Sequence, residues 1–547
     1  MLPFFRKNTY RFVWICIIGT SILLLSTDFS RLMKISRNME IFSEVYKAIN
    51  EYYVDETDPN QLMRTAIDSM LADIDPYTNF YSEAQRQQVW KGLKGGWDGI
   101  GVEITKHKGR FIIDKVLEES PANRAGMWVG DEITHIDGAY LEGKKEEQVK
   151  ELLQGKTGTQ ITVEWKRQNG KVQSIEFTRE KIRPKNVPYY NMLDDETAYI
   201  VLSTFTERAS ANVADAFNEL QENYHPKQLI LDLRNNGGGL LTEAVNLCNL
   251  FIPAGLEVVY TRNKIAKWDR SFKTLNKPID LDIPLVILIN ERSASASEIV
   301  AGAIQDFDRG LLLGRNSFGK GLVQNTRNVG YNSKIKLTTA KYYIPSGRCI
   351  QALDYKEGQA VQIIDSSNQS FSTRNGRAVR NGNGLAPDLK IEKEEESAIA
   401  KRLLDEKLIF DFAVAYRNAH DSIVAAKEFK LEDKDFEYFL DFITKYKLQT
   451  KSEIALKKVE KAVQDGDTLA SAQAILDRMK KNLQRIREKE LRANKKRILR
   501  LLENEIIGCY HYEKGQIDAR LANDNDVKVA IELFSDKAKF SKLLDNK

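Results

Sequence analysis

The chain has few histidines: five in 547 residues, at His107, His135, His225, His420 and His511. Cysteine is as sparse. Cys16, Cys248, Cys349 and Cys509 lie far apart with no CxxC pair, which argues against a zinc site or a redox dithiol. No GxxxxGK[ST] loop and no GxGxxG turn occurs, so neither motif that cradles nucleotide phosphates is available. Lys and Arg number 82 against 77 Asp and Glu, and a net charge of +5 is too slight to argue for nucleic acid. Long apolar runs are lacking, with one exception. Arg6, Lys7 and Arg11 precede "FVWICIIGTSILLLS", the layout of an export signal. The run is short for a spanning helix of about 20 residues, although Tyr10 to Phe29 can stretch to that length. No clear small-x-small cleavage site follows it. An uncleaved signal anchor over residues 1–30 is favoured over a cleaved signal peptide, with a buried core helix as a third reading. The flanking charges then put the bulk of the chain across the membrane from the cytoplasm.

What is present organises into segments. Hydrophobic residues make up 42% and charged residues 29%, so real cores can form, and the length suits three or four domains. Residues 40–90 read as helices within an N-terminal helical region over 31–90, with Ile41, Val45, Ile49 and Tyr53 at four-residue spacing. Residues 91–183 change to short β-branched runs between glycine-containing turns, a small partly open β-domain. Residues 184–393 alternate apolar strands such as "KQLILDLR" and "PLVILIN" with helical segments, which indicates an α/β fold with a parallel or mixed sheet. Within it, the polar stretch 364–384 reads as a flexible surface loop. Residues 394–547 are helical and charged. Ile475, Met479, Leu483 and Ile486 form a stripe there, and "RMKKNLQRIREKELRANKKR" reads as a solvated face before it reads as a contact for anionic lipid or an acidic partner.

The chemistry concentrates in "ERSASASEIVAG", Glu291 to Gly302, where an apolar strand turns into a helix. A serine at a helix N-terminus sits beside amides that favour developing negative charge. The bland reading is strong, because Ser295 and Glu298 fit an S-x-x-E capping box. A nucleophilic serine needs a base, and no histidine is well placed in the α/β segment. A neutral lysine can serve instead. Lys320, between two glycines after the apolar strand "LLLG" and in a stretch short of acidic residues, is the candidate; alone it would pass for a surface turn lysine. Gln324 falls on the same face if "KGLVQ" is extended, and its amide could orient the lysine without adding charge. "DLRNNGGGLLTEA" offers three glycines whose amides can approach a ligand closely, or merely a flexible turn.

"LILDLRNNGGGLLTEAV", "RSASASEIVAGAIQDFDRGLLLGRNSFGKGLVQ" and "LTTAKYYIPSGRCIQ" resemble the signatures of the C-terminal processing peptidases, or tail-specific proteases, over roughly residues 40–393. The resemblance implies an α/β, ClpP/crotonase-like protease core over 184–393, with Ser295 as nucleophile, Lys320 as base and Gln324 beside it. It implies an oxyanion hole from the amides of Ala296 and Gly238, with Gly237 and Gly239 not excluded. No cofactor and no metal are implied. The β-domain, 91–183, is similar to an inserted PDZ module: "GIGVEI" looks like its carboxylate-binding loop, Ile100, Gly101 and Val102, and "SPANRAGMWVGDEITHIDG" fits the rest. Such a module would hold the free C-terminus of a protein or peptide substrate. The region 394–547 resembles the helical extension of the longer members; it could cover the active site, mediate homo-oligomerisation or bind an adaptor. The expected function is serine endopeptidase action near the C-termini of exported proteins, in a bacterial periplasm and tethered to the inner membrane. A PDZ scaffold with a silent protease domain is the alternative.

Overall fold

The computed structural model describes residues 29–83, 95–356, 359–363, 371–380, 382–393, 397–446, 448, 450–464 and 470–545. Residues 1–28 of the expected signal segment lie outside these. Among the described residues, no helix is long and apolar enough to cross a membrane. The chain divides into two units, the first ending at Phe80.

The described part of that first unit is mainly helical. It holds α1 over 29–52 and α2 over Pro59–Ala72. Asp58 starts α2 by accepting the N–H groups of Asn60 and Gln61, and Pro59 occupies the first turn, where its missing N–H costs nothing. The four-residue periodicity of α1 does form a helix, but its stripe is not a core face: Ile41, Val45, Ile49 and Tyr53 are all exposed.

The second unit opens with an antiparallel sheet. Its strands β1 (Val102–His107), β2 (Arg110–Val116), β3 (Glu132–Ile136), β4 (Gln160–Lys166) and β5 (Val172–Thr178) are hydrogen-bonded in that order, so β1 is an edge. Strand β4 shows the governing pattern. Ile161, Val163 and Trp165 point into the core while Gln160 and Lys166 are exposed, because successive side chains leave opposite faces. Helix α3 (Glu146–Leu153) adds Val149 and Leu153 to that core.

Further along run β6 (Tyr189–Met192), β7 (Thr197–Val201), β8 (Gln228–Asp232), β9 (Glu257–Asn263), β10 (Leu285–Ile289), β11 (Leu311–Gly314), β12 (Leu322–Gly330), β13 (Ser333–Tyr343) and β14 (Leu389–Lys390). Strands β6, β7, β8, β10, β11 and β14 form one sheet in that order, parallel except for β6. Strand β13 pairs antiparallel with both β9 and β12 in a second sheet. Every residue of "LVILI" in β10 is buried, which requires cover on both faces of the main sheet. Helices α4 (Ala209–Tyr224), α5 (Leu241–Phe251) and α6 (Ala296–Asp306) cover one face.

The other face is covered from the far end of the chain. After residue 397 come α7 (Leu408–Ala419), α8 (Lys451–Gln464), α9 (Ala470–Ala493), α10 (Lys495–Leu521) and α11 (Asn525–Ser535). Val527, Ala530, Leu533 and Phe534 of α11 pack on Tyr199, Ile230, Val286, Leu288, Leu311 and Leu313. The helical region is therefore not only an extension, since its last part completes the α/β core. Its first part rests on the β-domain: Val414 of α7 fills the space beside Gly130, and Asp411 meets His107 at 3.1 Å and Lys108 at 2.6 Å. Ile475, Met479 and Ile486 of the apolar stripe on α9 are exposed.

The flexible-loop expectation for 364–384 fails over its described part. Phe371–Ser372 pairs with Ala378–Val379, and Arg377 is buried between Asp308 and Asp388, 2.6 Å from each. Two buried carboxylates need a cation, and this segment supplies it. Residues 364–370 and 381 lie outside the described set.

Candidate active site

Three loops leave the C-terminal ends of β8, β10 and β11, the side of a parallel sheet where α/β proteins place their sites. The loop after β10 carries the three serines. Asn290 turns the chain, its Oδ1 accepting the N–H groups of Arg292 and Asn235, each at 3.0 Å. The Ser293 hydroxyl donates to the Leu233 carbonyl at 2.8 Å and accepts the Asn290 N–H at 2.9 Å. The Ser297 hydroxyl donates to the Asn236 carbonyl at 2.8 Å. Both outer serines are buried and tie the turn to the glycine loop after β8.

Ser295, between them, is partly exposed and adopts φ 56°, ψ −111°. For a residue with a side chain such angles cost about 1–3 kcal/mol and persist only where the surroundings dictate them. A sharp strained turn from strand to helix is also how a nucleophile is lifted clear of its backbone. The next residue, Ala296, opens α6.

The Ser295–Glu298 pair keeps the capping-box arrangement, but the carboxylate carries it. Glu298 Oε2 accepts the Ser295 N–H at 2.7 Å, while the Ser295 side chain makes no cap hydrogen bond. Glu298 is completely buried and does more than cap. Oε2 also accepts the Lys320 N–H at 2.9 Å, and Oε1 accepts the Gly319 N–H at 2.7 Å and the Ser317 hydroxyl. Burial holds the pKa of Glu298 above its usual value, against the downward pull of these four donors. The stretch around Lys320 is poor in acidic residues along the chain, yet the fold brings this carboxylate in from 22 positions away.

A second bridge runs through Tyr342 of β13. Its hydroxyl, with a single proton, donates to the Lys320 carbonyl at 2.6 Å and shares that proton with the Ser295 carbonyl, 3.1 Å away, as the longer branch of a three-centre bond. Burial holds the Tyr342 phenol well above its usual pKa, so it is a proton donor at neutral pH. Ser295 and Lys320 are thus joined twice through their backbones. Gln324 follows on β12, where the register shifts between Val323 and Gln324, and its amide donates to Thr338 Oγ1 at 3.4 Å.

The glycine loop lies against the serine turn. Gly238 has φ +95°, and a Cβ there would come within 2.7 Å of the Ala294 carbonyl and 2.9 Å of both the Ala296 nitrogen and Ser295 Cβ. Only glycine fits. The Gly238 N–H itself donates to Asn236 Oδ1 at 2.9 Å. The wholly buried Asn236 ties the loop down further through Nδ2 to the Leu202 carbonyl at 2.8 Å.

Ile100 and Gly101 stand in the loop entering β1 and Val102 is its first residue, with no contact to the Ser295 cluster among the described residues. The Ile100 carbonyl accepts the Ala122 N–H and the Gly101 carbonyl the Leu117 N–H, each at 2.9 Å. Gly101 has φ +88°, and a Cβ would fall 2.1 Å from Ser120 Cβ. The histidines are engaged elsewhere. His107 meets Asp411, His135 meets Glu164, His225 ends α4, and His420 and His511 bond the carbonyls of Tyr416 and Val424. Sequence reasoning missed Tyr342 and Asn236, and saw in Glu298 only a cap. The one signal available was a carboxylate three residues after the serine.

The family model for peptidase family S41 matches residues 196–359, a PDZ domain model matches 112–167, and a model for the C-terminal helical domain of probable PDZ-proteases matches 399–534. A carboxy-terminal-processing protease from Bartonella bacilliformis is 33% identical over 320 residues, covering 57% of this chain and 72% of that protein. A probable CtpA-like serine protease from Staphylococcus aureus is 33% identical over 322 residues, 58% of this chain and 64% of that protein. Among solved structures, a photosystem II D1 C-terminal processing protease is 27% identical with a TM-score of 0.37, covering 64% of this chain and 92% of that one.

Proposed function

This chain belongs to the carboxy-terminal-processing proteases of peptidase family S41 and is a serine-type peptidase, and from that premise we propose that Ser295 is its nucleophile and Lys320 its general base. The observation that carries the reading is the double bridge, Glu298 to the two N–H groups and Tyr342 to the two carbonyls. In its neutral form the lysine amine takes the proton from Ser295 as Oγ attacks the scissile carbonyl. The tetrahedral oxygen faces the Ala296 N–H at the start of α6 and the glycine loop, where preorganised donors are worth most. The Gly238 N–H has to leave Asn236 to take part; Gly237 and Gly239 are the other candidates on that loop. Lysine then protonates the leaving amine, and with its help water releases the acyl group. On this reading Gln324, four residues after Lys320 on β12, orients the lysine.

The PDZ domain, within 91–183, supplies tail specificity on this reading. The substrate carboxylate meets the amides of Ile100, Gly101 and Val102, and the peptide adds a strand to the free edge of β1. The bacterial relatives and the basic-flanked apolar run support a periplasmic, membrane-tethered enzyme.

The test is cleavage of an unstructured protein by the full chain beside Ser295→Ala and Lys320→Ala. Both variants should lose on the order of 10⁴-fold or more in rate, the scale seen when a nucleophile or its base is removed. Equal cleavage by Ser295→Ala sinks the nucleophile assignment, and cleavage retained by Lys320→Ala sinks the base alone.

A further inference from the structure

The three catalytic loops share a feature at their roots. Arg234 lies just past the end of β8 and before the glycines, Glu291 just past β10 and before Ser295, and Arg315 just past β11 and before Lys320. Arg234 and Arg315 converge on Asp524 and Asp526, where α11 begins, and Glu291 joins them through Arg315. Arg234 spreads its guanidinium over three carboxylates. Nη1 donates to Asp524 Oδ1 at 2.9 Å and to Asp526 Oδ2 at 3.0 Å; Nη2 donates to Asp524 Oδ2 at 2.7 Å and to Asp232 Oδ2 at 2.6 Å. Arg315 reaches Asp526 through Nη1 and Nη2 at 3.4 Å and Glu291 Oε2 through Nε at 3.2 Å. The side chains of Arg234, Asp232 and Asp526 are nearly inaccessible, at 13%, 7% and 7% exposure.

We propose that Asp524 and Asp526 are positioning residues for catalysis: the C-terminal helices clasp the roots of the glycine, serine and lysine loops through Arg234 and Arg315, and so set the oxyanion donors against Ser295. Several facts make this more than packing. A planar guanidinium bonded at both ends fixes direction as well as distance. Asp524 also caps α11, accepting the N–H groups of Asp526 and Val527, so the helix and the arginine are oriented by one group. Next to Arg234, Asn235 is locked side chain to side chain with Asn290, at 3.1 Å. A shift of Arg234 therefore passes directly to the residue that turns the serine loop. Asp524 and Asp526 touch neither substrate nor Ser295; they act through the arginines. The proposal rests on the Ser295–Lys320 reading.

The experiment uses the full chain and two readouts, turnover of an unstructured protein and the rate at which a fluorophosphonate probe labels the serine. The double variant Asp524→Asn, Asp526→Asn keeps the side-chain shapes, and asparagine still caps a helix. It should fold, keep KM within about twofold, and lose about tenfold or more in both kcat and labelling rate. Asp526→Glu, which restores a carboxylate, should recover part of that loss on an Asp524 background. Phe534→Leu loosens α11 on the sheet without touching the clasp; assayed below its melting temperature, it should label at close to the wild-type rate. Wild-type labelling by the double variant, or a loss no greater than that of Phe534→Leu, overturns the clasp while leaving the dyad intact. Labelling that persists in Ser295→Ala overturns the dyad reading, and the clasp falls with it.

Discussion

Two short loops do the work proposed for this molecule, and they are held in opposite ways. The loop at Ile100–Val102 is held locally, by Leu117, Ser120 and Ala122, all within about twenty residues of it. The turn at Ser293–Ala296 is held from a distance. Its partners are Leu233, Asn236 and Gly238 on one side and Ser317–Lys320 and Tyr342 on the other, with Asp524 and Asp526 behind them. A recognition loop can be carried by its own small domain, because it only has to offer amides at an open strand edge. A nucleophile, a base and an oxyanion site must agree to within a fraction of an ångström, and that takes several segments in mutual register. The β-domain should therefore tolerate change that the serine turn does not.

The sharpest way to break the contrast is Gly238→Ala. The added methyl meets the Ala294 carbonyl and the Ala296 nitrogen, both backbone and both part of the nucleophile turn, at a φ that disfavours any side chain. We expect kcat to fall by roughly 10²–10³, the scale of losing an oxyanion donor, with KM little changed. A kcat within twofold of wild type would show that the glycine loop does not shape the oxyanion site. Glu298→Gln should be the next largest. All four partners of this carboxylate are donors, and an amide can accept at only one oxygen. Its NH₂ group would face two N–H groups or hydroxyls left unpaired, each costing about 1–3 kcal/mol. Both the melting temperature and kcat should drop, and a variant that melts with the wild type would show that the four bonds are dispensable.

The same contrast explains what could be read before the fold was known. The alternating β-domain, the buried parallel strands and the glycine-rich turns were legible because each depends on near neighbours: period-two burial in β4, the all-apolar β10, the positive φ at Gly101 and Gly238. The proposed nucleophile Ser295, base Lys320 and oxyanion glycine Gly238 were singled out by their local motifs. What hid were the partners acquired through tertiary contact. Glu298 looked like a helix cap because a cap is the local use of a carboxylate three residues after a serine. Tyr342, Arg234 and Asp526 carry no local signal at all. Tyr342 sits in an ordinary strand, and Asp526 lies 292 positions from Arg234. The spacing in α1 predicts the helix and nothing of its surroundings, since periodicity reports that a helix has a face but not what lies against it. Polar composition misled at 364–384, where the described part conceals a buried arginine.

The smallest effect expected, and the one that tests the comparison from its other side, is Gly101→Ala. The methyl would fall against Ser120 Cβ at a positive φ, so the loop must move, at a cost of about 1–2 kcal/mol for the backbone alone. The strain stays within the β-domain, because every contact of the loop does. Strand β1 keeps its register with β2, and the Ser295 cluster keeps all of its own partners. The variant should therefore cleave a peptide with an amidated C-terminus as the wild type does. With the same peptide bearing a free carboxylate, KM should rise several-fold and kcat should hold. The ratio of the two substrates isolates recognition from chemistry, which neither rate alone can do. If Gly101→Ala lowers kcat on both peptides equally, the β-domain is part of the catalytic register and the two loops are not independent. If it changes neither, the free carboxylate is read somewhere other than at Ile100–Val102.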